Sequence, residues 1–79
     1  MKKTFKIGEY AKGGIISAEI TNKELPFVVI KCIDWDTKEV LFGDSSEDIN
    51  YIRDVLYDWT SVYYADTIIE WIKSNVKEK

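Results

Sequence analysis

Apolar and polar side chains alternate through the first half of the chain, and apolar residues recur at helical spacing through its last third. Thr4–Ala11 reads as a strand with Phe5 and Ile7 on one face, and Gly8 as a bulge that returns Tyr10 to that face. Lys12-Gly13-Gly14 supplies a turn, since adjacent glycines accept positive φ without steric cost. Ile15–Thr21 sets Ile16, Ala18 and Ile20 against Ser17, Glu19 and Thr21, the period-2 pattern of a half-buried strand. After the loop Asn22-Lys23-Glu24-Leu25-Pro26, the segment Phe27–Trp35 places Val28, Ile30 and Cys32 on one face. Phe27, Val29, Ile33 and Trp35 occupy the other, interrupted by Lys31. A strand apolar on both faces is central and covered on at least one side. Asp36-Thr37-Lys38 turns into a short strand, Glu39–Phe42, and Gly43 and Asp44 end the sheet.

Ser45-Ser46-Glu47-Asp48 has the composition of a helix start, with Ser45 or Ser46 as the cap and the acids at the positive end of the dipole. Ile49, Ile52, Val55, Leu56 and Trp59 then form one apolar stripe. Ala65, Ile68, Ile69, Ile72 and Val76 form a second. Counted at 100° per residue from Ile49, the stripes centre near about 320° and about 160°. A straight rod would aim them in nearly opposite directions. A break within Thr60–Tyr63, with Thr60 or Ser61 capping the second helix, lets both face one core. The pattern therefore predicts an α+β fold. A four-stranded antiparallel sheet made of two hairpins is followed by two C-terminal helices packed on one face, all in a single domain spanning residues 1–79.

Composition narrows what such a domain can use to stay folded. A chain this short buries only about 60–65% of its unfolded surface and needs help beyond an ordinary core. Cys32 is the single cysteine and there is no histidine, which excludes an internal disulfide and a Cys/His zinc site. The remaining resource is apolar content, at 46% hydrophobic with three Trp, five Tyr and three Phe. Met1-Lys2-Lys3 leads into alternating rather than continuous apolar sequence, unlike an export signal, and no stretch has the length of a membrane span. One thiol in that setting points to the cytoplasm.

The net charge of −3 is unevenly spread. Residues 40–72 carry seven acids against Arg53 alone, whereas residues 1–39 carry seven Lys against six acids. Acidic helices disfavour nucleic acid as their partner.

Enzymatic chemistry finds little support. Histidine, the usual acid–base group at neutral pH, is missing. Cys32 falls on the buried face of its strand, where a thiol is structural rather than nucleophilic. Asp34 and Asp36 could hold a cation or flank a glycosidic bond, but turn chemistry accounts for both. Asp44–Asp48 lacks the ligand spacing and turn glycine of a calcium loop. Lys12-Gly13-Gly14 lacks the spacing of a phosphate loop and opens no helix. No cofactor and no metal are expected.

Two features favour protein recognition. Glu47, Tyr51, Asp54 and Asp58 lie along one side of the first helix, opposite its apolar stripe, and could address a basic surface. Tyr64 and Trp71 lie about 100° from the second stripe and require a further surface to cover them. The expectation is a non-enzymatic protein-binding module, an inhibitor or regulator of a larger protein. Tyr51, Asp54 and Asp58 would steer by charge, with Tyr64 and Trp71 as apolar anchors. Small acidic inhibitors encoded by mobile elements share this physical character, though no sequence motif links them to this chain. The alternatives are a nucleic-acid-binding module using Lys6, Lys12, Lys31 and Tyr10, and a domain that self-associates as a homodimer.

Overall fold

The alternating segments form a four-stranded antiparallel meander in the order β1-β2-β3-β4: β1 is Lys2–Lys6, β2 Gly14–Asn22, β3 Pro26–Asp34 and β4 Val40–Ser46. Two helices follow, α1 (Ile49–Trp59) and α2 (Val62–Asn75). The structure is a computed structural model and describes residues 1–22 and 26–76; the central residues of the expected loop, 23–25, lie outside the described residues.

Register explains where the core sits. Ile16 pairs with Cys32, Ala18 with Ile30 and Ile20 with Val28. Directly opposed residues share a face, so three apolar pairs stack across the two central strands. None of the six is more than 4% exposed. Ile52, Leu56 and Trp59 of α1 and Ala65, Ile68, Ile69 and Ile72 of α2 close over them. Each fully buried Ile or Leu contributes about 1.5–3 kcal/mol. α1 lies over β3 and β4, and α2 over β2, all on one side of the sheet. Among the described residues, no helix packs on the other side.

The break between the helices falls where the phase of the stripes requires it. Thr60 ends α1 and the Ser61 hydroxyl caps α2, accepting from the Tyr64 amide. The corner is tied to the tip of the first hairpin. Ala11 bridges to Thr60, the Lys12 amide donates to the Trp59 carbonyl at 2.9 Å, and the Thr60 hydroxyl donates to the Tyr10 carbonyl. The Cys32 thiol donates to the Lys12 carbonyl from beneath.

Several element boundaries shift by one or two residues, and three departures from expectation have a physical reason. The first strand ends at Lys6, and Gly8 opens a 3-10 turn over Gly8–Tyr10 instead of a bulge; its φ of +82° suits glycine. The fourth strand runs on to Ser46, because Gly43 and Asp44 pair with Lys31 and Ile30 of β3. The longer strand displaces the helix start. Asp48, not Ser45 or Ser46, is the N-cap, its carboxylate accepting from the Asn50 amide at 2.9 Å.

Candidate functional site

α1 and β4 build one edge of the molecule together. Tyr51, Asp54 and Asp58 fall within about 60° of one another around the helix. All three are exposed. The Tyr51 hydroxyl donates to Asp44 of β4 at 2.7 Å, which fixes this side of α1 above the sheet's β4 edge. That hydrogen bond favours the neutral phenol and holds the Tyr51 pKa above its ordinary value. Lys12 approaches Asp58 at 3.6 Å, a solvent-exposed pair of small energetic weight. Asp54 stands free of any ion pair among the described residues.

The strand below is apolar. Val40, Leu41 and Phe42 are 54%, 47% and 41% exposed. Phe42 turns toward the helices and meets Trp59 edge-to-face at 5.2 Å. Asp44, two residues on, shares that side of the strand by the pleat. Apolar ring, carboxylate and phenol thus line the space between β4 and α1.

Tyr64 and Trp71 do not join this edge. Both are half-buried on the other flank of the helical layer. Trp71 packs edge-to-face on Phe5 of β1 at 6.1 Å, and Tyr64 stacks on Tyr10 at 5.9 Å. The further surface these rings require is supplied largely by the chain itself, from β1 and the 3-10 turn. Of the five candidate residues, Tyr51 is tied to the β4 edge, Asp54 and Asp58 lie on the outward side of α1, Trp71 meets β1 and Tyr64 meets the 3-10 turn. Tyr63, 72% exposed, makes an edge-to-face contact with Tyr64. Tyr57 is occupied between the helices, donating its hydroxyl to Asp66 at 2.9 Å.

Asp44 and the exposed run Val40–Phe42 escape a reading of helix periodicity. Their signal was available in the strand: if β4 passes through Gly43, alternation puts Phe42 and Asp44 on one side.

The remaining sequence candidates have structural roles or scatter. The Asp34 carboxylate accepts from the Asp36 and Thr37 amides at 2.8 and 2.9 Å, which closes the second hairpin and holds its pKa below the usual range. Cys32 is fully buried, and burial pushes its thiol pKa up. Lys12-Gly13-Gly14 borders a shallow depression of about 420 Å³ lined by Gly8, Glu9, Ala11, Gly13, Gly14 and Trp35, and the one charged side chain in that lining is an acid. Lys6 and Lys31 lie on the uncovered sheet face, opposite Ile15 and Ser17 respectively, whereas Lys12 and Tyr10 lie at the helical corner. Those four residues do not form one surface. Among the described residues, no three His, Cys, Asp or Glu side chains gather as a metal site would require, and no helix is long and apolar enough to cross a membrane.

Comparison with known proteins adds no relative: no family model matches the chain, nor does any curated protein or solved structure.

Proposed function

We propose that this chain is a non-enzymatic protein-binding module that meets a larger protein along its α1–β4 edge and thereby inhibits or regulates it. The observation that carries this reading is the Tyr51–Asp44 hydrogen bond, which sets the flank of α1 next to the exposed Val40–Phe42 run, with the exposed Asp54 and Asp58 on the helix's outward side. Charge complementarity sets approach and register, and a desolvated aromatic or aliphatic cluster supplies the affinity. Tyr51 and Phe42 are the anchors, Asp54 and Asp58 the steering charges. Tyr64 and Trp71 are support for the fold rather than the principal contact, since rings from β1 and the 3-10 turn already cover them. The single buried thiol fits a reducing compartment such as the cytoplasm.

The test compares the wild-type chain with a Tyr51→Ala, Asp54→Lys, Asp58→Lys variant in affinity capture from the host lysate. A stoichiometric partner is expected with the first and not with the second, at unchanged circular dichroism. A partner retained equally by both would refute the reading. Scattering of Lys6, Lys12, Lys31 and Tyr10 over two regions makes nucleic acid the weaker alternative, and a low-salt gel shift checks it.

A further inference from the structure

The two edges of the sheet are unlike. β1 carries Lys2, Lys3 and Lys6 in five residues, all exposed. Lysines on an edge strand discourage other strands from adding to it. β4 is the opposite edge, seven residues long, with Asp44 as its one charge. Val40-Leu41-Phe42-Gly43 has neither charge nor proline, and among the described residues no further strand pairs with its outer side, although β4 carries a bulge at Leu41 and the Ser45 amide is bonded to the Asp44 carboxylate at 2.8 Å. An edge of this kind is a template for a fifth strand.

Charge selects the occupant. A fifth strand on β4 lies beside the Tyr51 flank of α1 and next to Asp44, with Asp58 and Asp54 further round the helix on its solvent side. A second copy pairing through the same edge would bring two such acidic sides together, in a chain whose net charge is already −3. Like charges so placed oppose the pairing. A cationic strand is attracted by the same groups. From Phe42 to Ser46 the pleat fixes the rest: alternate side chains of the added strand point toward α1 and the others toward the opposite face, while a register shift at Leu41 moves Val40 to that opposite face, where it pairs with Ile33.

We propose that β4 accepts, as a fifth strand, an extended segment of the partner in which Lys or Arg alternates with apolar residues. This inference rests on the protein-binding reading above and specifies its partner. Seven residues of β4 accommodate about 23 Å of such a segment, at about 3.3 Å per residue.

The experiment uses the full chain and a capped octapeptide of alternating Lys and Val. Three control peptides accompany it: Glu replacing Lys, all four Val N-methylated, and all four Lys N-methylated. Alternate amides of a strand point to opposite edges, so only one N-methylation pattern blocks the hydrogen bonds to β4. The Lys/Val peptide is expected to bind and to slow amide exchange across Val40–Ser46 but not across Lys2–Lys6. One N-methylated peptide should bind at least about tenfold more weakly, and the other comparably to the parent. The Glu/Val peptide should not bind. Asp54→Lys with Asp58→Lys should weaken the Lys/Val peptide about tenfold.

If charge reversal abolishes binding while both N-methylated peptides bind as well as the parent and β4 exchange is unchanged, the acidic side recognises cations without adding a strand. The inference then falls and the protein-binding reading stands. Absence of Lys/Val binding at low salt also overturns the inference, with the protein-binding reading decided separately by lysate capture. Protection of β4 that rises with protein concentration in the absence of peptide would assign the edge to a second copy and overturn it as well.

Discussion

Gly13 sits where two constraints meet. Its φ is +75°, and a Cβ there would lie 2.8 Å from the Ile33 carbonyl oxygen and 2.8 Å from a Leu41 methyl group. Gly8 shares the positive φ but has open space around it. Gly8→Ala should therefore cost about 1–2 kcal/mol from backbone conformation alone. Gly13→Ala should cost more, because main chain must shift as well. Urea midpoints of the two variants check the order. Ionisable groups give a second expectation. Asp34, held low by two amides, stabilises the fold above the ordinary carboxylate pKa, and that contribution disappears as pH falls through its lower folded value. Tyr51 and Tyr57, held high by Asp44 and Asp66, act in the reverse sense. Their contribution is complete below the ordinary phenol value of about 10 and is lost as pH rises through the folded values. In thermal melts across alkaline pH, a Tyr51→Phe, Tyr57→Phe variant should lose stability less steeply than the wild type.

At the scale of elements, the caps separate strong positions from weak ones. Asp48→Ala removes the acceptor at the start of α1 and should cost about 1 kcal/mol. Ser45→Ala, on an exposed residue inside β4, should stay within about 0.5 kcal/mol. Chemical denaturation of the two variants distinguishes the observed helix start from the one the sequence suggests. Helix periodicity was informative because apolar spacing is a local property: the phase jump between Ile49–Trp59 and Ala65–Val76 located the bend to within a few residues. The ends of β1 and β4 were not legible. Gly43 and Asp44 favour turns in isolation, and their pairing with Lys31 and Ile30 overrides that preference. The acidic side of α1 could be read from the helix alone. What flanks Tyr64 and Trp71 could not, since helical azimuth does not say which neighbour lies on which side.

The whole molecule is a slab of 39 × 23 × 16 Å with its helices on one face of the sheet. Three lysines guard one sheet edge and an acid accompanies the other, so each edge repels the same edge of a second copy. Light scattering should give a monomer mass that stays constant through the micromolar range. The corner at Thr60 joins the two layers across 50 positions of sequence, through Tyr10, and Trp59 is joined to Lys12 in the same way. Those bonds hold the corner between α1 and α2 against the tip of the first hairpin.

The position of Cys32 turns this joint into a chemical clock. The sulfur is sealed between the layers, hydrogen-bonded to the hairpin tip, and poorly ionised. A thiol reagent reaches it only in molecules whose sandwich has come apart. With no other thiol in the chain, the modification rate in native buffer measures that opening directly. It should accelerate in step with urea well before any spectroscopic transition, and Thr60→Val should shorten the labelling time by releasing the corner.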